Sequence, residues 1–170
     1  MAATTMGSST TSKTTTQDIS VADGFWITKA AAAWKGTQYS LVGARSVQGV
    51  GGDCSGSTWR IYAAAGFPYE YQATGTFPAY VLKTGRFREL GANEPRQDGD
   101  ILYWPNHMAI YSTFAQDQAD ATTPRVNKQN HAWTQKNDMW TASHPGGQVY
   151  GPAELHFWRP DAPRVFRYVK

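Results

Sequence analysis

Apolar residues along this chain recur first at helical spacing and later at strand spacing. From Asp23 onward Trp26, Ala30, Ala33 and Trp34 keep a helical period, and Gly36 stands where a left-handed stop would close a helix over about 23–35. Gly36 to Gly52 holds no sustained period and reads as a loop. Asp53 then offers an N-cap to a second helix, Ser55 to Ala65, whose Trp59, Tyr62, Ala63 and Ala65 are apolar and which Gly66 and Pro68 bring to an end. Cys54 therefore falls in the first turn of a helix.

From Tyr69 to Glu94 aromatics mix with Gly and Pro, and the pattern supports only a helical turn at Pro78 to Leu82 and an extended piece at Phe87 to Leu90. Beyond Pro95 the texture becomes strand-like. Asp100 to Trp104 and His107 to Phe114, with Asp98-Gly99 and Pro105-Asn106 as turns, predict an antiparallel hairpin. Gln116 to Asn130 is polar, carries Pro124 and reads as a long loop. Asp138 to Ser143 reads as a third strand and His144-Pro145-Gly146-Gly147 as a turn. Glu154 to Arg159 reads as a fourth strand, in which Leu155 and Phe157 alternate with His156 and Trp158. Helices first and strands later predict α+β packing rather than βαβ winding.

Composition adds boundaries to this picture. The 170 residues fit one domain able to bury its own core. Met1 to Gln17 is almost entirely small and polar and cannot offset its ordering entropy, so residues 1–20 are read as a flexible leader ahead of a single domain over 21–170. That leader lacks the basic start and apolar centre of a secretory signal. No apolar run reaches the ~20 residues needed to span a bilayer. The net charge of +3 is spread along the chain, apart from a loose group of Arg159, Arg164, Arg167 and Lys170, and is too sparse for a nucleic-acid stripe. It suits an anionic polymer as partner, or solubility alone.

The single cysteine rules out an internal disulfide and leaves a thiol to explain. A lone Cys is commonly a small buried hydrophobe. At a helix N-terminus, however, the unpaired N–H groups and the dipole favour a thiolate and can also hold the oxyanion formed when it attacks a carbonyl. Gly51, Gly52 and Gly56 flank the thiol with small residues that would admit a substrate backbone, or else form only a turn. Of the four histidines, His107 opens an apolar strand straight after a tight turn and is the expected base. A third group should orient its ring. Thr141, His131 and His144 are the candidates, with His144 preferred because it ends the strand expected to pair beside His107. The scattered His and the lone Cys lack metal-ligand spacing, so neither metal nor other cofactor is expected.

Three blocks now carry a resemblance: Asp53-Cys54-Ser55-Gly56 with a helix ending Ala65-Gly66-Phe67-Pro68, then Asp98-Gly99-Asp100-Ile101-Leu102-Tyr103, then Asn106-His107-Met108-Ala109-Ile110-Tyr111. Their order and spacing resemble the NlpC-type papain-like cysteine peptidases over about residues 25–160. The resemblance implies a nucleophile helix packed on an antiparallel sheet, with Cys54 as nucleophile and His107 as base. It implies cleavage of peptidoglycan stem peptides at a D-glutamyl-diaminopimelate type bond. Trp34-Lys35-Gly36-Thr37-Gln38-Tyr39 resembles the segment whose tyrosine reaches the site, so Tyr39, with Asp53 and Ser55 beside the thiol, completes the expected substrate or oxyanion set. The family's His-Ala strand is copied by His131-Ala132, after a long insertion that the family lacks. That insertion and the aromatic C-terminal segment resemble the wall hydrolases injected into competitors by type VI secretion. This implies a monomeric antibacterial enzyme acting in the periplasm, with a secretion carrier and an immunity protein as partners. The rival readings are a papain-like acyltransferase or deamidase, and a non-catalytic wall-binding module.

Overall fold

The computed structural model describes residues 17–113, 115, 137–142, 149–155 and 161–170. Among them are three α-helices and one six-stranded antiparallel sheet, an α+β arrangement with the helices leading in sequence. Helix α1 is Val21–Ala32, α2 is Cys54–Ala64 and α3 is Phe77–Thr84. The strands are β1 (Phe87–Glu89), β2 (Ile101–Trp104), β3 (His107–Tyr111), β4 (Met139–Thr141), β5 (Gly151–Ala153) and β6 (Arg164–Tyr168). Their spatial order is β1-β6-β2-β3-β4-β5. No helix among the described residues is long and apolar enough to cross a membrane.

Local chemistry accounts for the helix starts. Ser20 caps α1 reciprocally: its hydroxyl accepts the Asp23 N–H at 3.0 Å, and the Asp23 carboxylate accepts the Ser20 N–H at 2.9 Å. A capping box of this kind contributes about 1 kcal/mol to a helix. The inward face of α1 is set by Gly24, Ile27, Thr28 and Ala31, whereas Trp26 is 59 % exposed. This phase differs from the expected Trp26-Ala30-Ala33 stripe. The alanine run 30–33 fits either face equally, and Ile27 decides the matter by filling the core.

Strands β2, β3 and β4 are buried at almost every position rather than alternating, so both faces of the sheet are covered there. Ile101, Tyr103, Met108, Ile110, Trp140, Phe166 and Tyr168 join the helices in the larger core. Leu102, Trp104, Ala109, Met139 and Ala153 form a second cluster, which the strand alternation sets on the opposite face.

Three sequence expectations change here. Residues 17–20, assigned to the leader, belong to the fold: Ile19 is 2 % exposed, its N–H bonds Tyr168 O at 3.0 Å, and Asp18 bridges Val169. Residues 1–16 lie outside the described residues. The last hairpin strand is Gly151–Ala153, ahead of the expected Glu154 to Arg159, of which 156–160 lie outside the described residues. Strand β6, which periodicity did not signal, sits between β1 and β2. Its arginines are engaged rather than offered to a polymer: Arg164 reaches Glu89 at 2.8 Å and Arg167 reaches Asp100 at 2.8 Å, while Lys170 beyond the strand reaches Asp23 at 3.0 Å.

Candidate active site

Helix α2 brings Cys54 to the start of β3. Asp53 is its N-cap, with Oδ1 accepting the Gly56 N–H at 2.8 Å while Oδ2 accepts the Gly43 N–H at 2.7 Å. One carboxylate thus stitches the helix terminus to the 3₁₀ turn Gly43–Arg45. Gly56 makes this approach workable, since a Cβ there would lie 2.2 Å from Gly43 O and 2.1 Å from Ser46 Oγ. A Cβ on Gly52 would press Trp34 Cζ3 at 3.0 Å. The clearance expected for a substrate backbone at these two glycines is filled by the protein's own loop.

The thiol itself is half-buried. Its sulfur lies 3.4 Å from Thr74 Oγ1 and engages backbone hydrogen bonds from Met108 and Ser55. Met108 is the covalent neighbour of His107, so the sulfur and the His107 backbone lie at the same end of β3. Burial pushes the Cys54 thiol above its ordinary value, and the neighbouring Asp53 carboxylate adds to the rise, against the three hydrogen bonds that favour the anion. Sequence reasoning expected the helix terminus to lower it. The terminus does act through the Ser55 N–H, but burial outweighs it and the capping Asp53 carboxylate offsets part of its positive end.

His107 is 5 % exposed and leans toward Trp104, with ring centroids 5.9 Å apart. Its Nε2 is 2.6 Å from Thr141 Oγ1, and the Thr141 hydroxyl donates its proton to Ala142 O at 3.0 Å. Where that proton goes to Ala142 O, Thr141 accepts from His107 Nε2–H. The neutral ring then carries its lone pair on Nδ1, the nitrogen a base would use. Pairing of Ile110 with Trp140 and of Tyr111 with Met139, continued by one residue, sets Thr141 opposite Ala109, two residues along the same face from His107. Among the candidates for the orienting group, Thr141 is in contact with the ring, and His131 and His144 lie outside the described residues.

The remaining expected residues also converge. Tyr39 bridges Gly52, with Ser40 N–H bonding Gly52 O at 3.1 Å, which holds the tyrosine's backbone two residues from the thiol while its half-buried ring packs on the core. Ser55 Oγ donates to Asp53 Oδ1 at 3.3 Å and lies 3.2 Å from the Tyr71 hydroxyl. Thr74 and Tyr71, both from the stretch that pattern left undetermined, were not anticipated near the thiol. No grouping of three or more potential metal ligands occurs among the described residues. The sequence matches no protein-family model, and no curated protein matches it.

Proposed function

We propose that this protein is a cysteine hydrolase of the papain-like NlpC type that cleaves amide bonds in the stem peptides of peptidoglycan. The observation that carries the reading is the adjacency in chain at the start of β3, where the thiol lies against the Met108 backbone and the preceding residue is His107, whose Nε2 is held by Thr141. With a thiol raised by burial, the resting sulfur keeps its proton, and His107 acts as a general base at the moment of attack.

The sulfur attacks the amide carbonyl as its proton passes to His107 Nδ1. The tetrahedral oxyanion is stabilised by N–H groups at the head of α2 and by Tyr39. The imidazolium returns the proton to the leaving amine, the C–N bond breaks and a Cys54 thioester remains. Water then attacks that thioester, gives a proton to His107 and releases the carboxylate, and the thiol is restored. Thr141 holds the ring through both stages; as a neutral acceptor it orients the imidazolium without the charge a carboxylate would add. The stem-peptide substrate, the D-glutamyl-diaminopimelate bond, periplasmic action, delivery by a type VI carrier and control by an immunity protein rest on the motif resemblance.

Incubation of isolated sacculi with the parent protein is expected to release muropeptides, and Cys54→Ala to release none. Equal release by both, or none by the parent, overturns the proposal.

One observation favours a second reading. A thiol held above its ordinary value suits a wall-binding module that retains the fold without turnover. In that case sacculi bind the protein but stay intact, and His107→Ala leaves thiol alkylation unchanged.

A further inference from the structure

The hydroxyl nearest the sulfur comes from an element distant in sequence. Thr74 opens the 3₁₀ turn Thr74–Thr76 and approaches Cys54 Sγ to 3.4 Å. The turn runs along the surface, with Gly75 and Thr76 exposed, so the contact is not enforced by crowding in a core. Three side chains hold this segment. The Tyr103 hydroxyl donates to Thr74 O at 3.0 Å, Trp59 Nε1 donates to Tyr69 O at 2.8 Å, and the Tyr71 hydroxyl meets Ser55 Oγ at 3.2 Å. Trp59 and Ser55 belong to α2 itself. Tyr103 lies on β2 directly opposite Met108, whose backbone hydrogen-bonds the sulfur. Thr74 is therefore tied to the two elements that meet at the thiol.

We infer that Thr74 is a positioning residue for Cys54: its hydroxyl donates to the sulfur, steadies the anion as it forms, and leaves the thiol's own proton to the imidazole. The role rests on reading Cys54 as the nucleophile. Its direction agrees with the Thr74 hydrogen bond favouring the thiolate against burial. Of the groups that hydrogen-bond the sulfur, Thr74 contributes a side chain where Met108 and Ser55 contribute backbone, so its contact can be removed by substitution.

The test is the pH dependence of Cys54 alkylation by iodoacetamide, which needs no turnover. Thr74→Val, nearly isosteric but without the hydroxyl, is expected to slow alkylation near neutral pH roughly threefold to tenfold, the factor one hydrogen bond is worth. The apparent thiol pKa rises accordingly, by about half a unit to one unit. Thr74→Ser should restore the parental profile, and Tyr103→Phe, which frees the Thr74 carbonyl, should give a smaller shift in the same direction. Thr74→Ala must agree with Thr74→Val, since both lack the hydroxyl and differ in shape.

A Thr74→Val profile that superimposes on the parent, a Thr74→Ser profile that follows Thr74→Val, or disagreement between the Ala and Val variants overturns the assignment. Muropeptide release by the same proteins separates the two claims. A shifted profile in a protein that hydrolyses nothing keeps the Thr74 contact and removes the hydrolase reading. Hydrolysis by the parent with an unshifted Thr74→Val profile does the reverse.

Discussion

Two regions of this molecule satisfy their buried polar groups by opposite means. Where residues 18–19 meet β1, β2 and β6, charges answer charges. Fully buried Asp100 takes Arg167 Nε at 2.9 Å and Nη2 at 2.8 Å, together with the Gln97 N–H at 2.8 Å, while Arg88 joins Asp18 and Glu94 close by. At the thiol, apart from the capping Asp53 carboxylate, side-chain contacts come from neutral hydroxyls. Thr74 approaches the sulfur, Thr141 holds the imidazole, and Ser57 and Thr58 turn their hydroxyls back onto the Asp53 and Cys54 carbonyls at 2.6 and 2.7 Å. A fixed ion pair locks strands together but would pin a titrating group in one state. Hydroxyls accept and donate, so they can follow a proton that moves.

The comparison is broken most forcefully at Arg167. Arg167→Met strands the Asp100 carboxylate, whose ionised form burial already disfavours, and is expected to cost about 3–5 kcal/mol in a denaturant melt. Alkylation of Cys54 in the folded fraction should stay parental; a thiol that changes with it would mean the two regions are not separable. Thr141→Val probes the other side. It should lower hydrolysis about tenfold to a hundredfold by releasing the ring tautomer, with only about 1 kcal/mol lost in stability. Thr141→Ser should recover most of the activity.

The smallest effect concerns acid. Arg88 hydrogen bonds lower the Asp18 carboxyl, and those from Arg88 lower Glu94 from 4.5 to about 2. Both groups are depressed on folding, so their stabilisation is present above the ordinary carboxylate range and is lost as pH falls from about 4.5 toward about 2. Arg88→Gln should therefore flatten the acid fall in Tm, and salt should mimic it in part because these groups are partly exposed.

The difference between the regions also explains what the sequence could tell. Helix α2 and the β2-β3 hairpin were legible because a capping Asp53 and the Asp98-Gly99 and Pro105-Asn106 turns act within a few residues. Strand β6 was not, because Arg164 and Arg167 look like surface charge until Glu89 and Asp100, 75 and 67 residues away, are placed beside them. Thr74 carries no local mark at all; only the path of the chain from α2 to α3 brings it to the sulfur. Thr141 was among the candidates, and strand register brings it to the ring, while His144, preferred because it ends that strand, lies outside the described residues.

Trapping the covalent intermediate tests the central claim most directly. Protein quenched in acid during incubation with a purified stem peptide, then weighed intact and after digestion, should carry the acyl fragment on Cys54, joined with loss of the leaving amine. The adduct should be absent from Cys54→Ala and should not accumulate in His107→Ala. Stem-peptide cleavage that proceeds with no adduct on Cys54, and equally well in Cys54→Ala, would contradict the account.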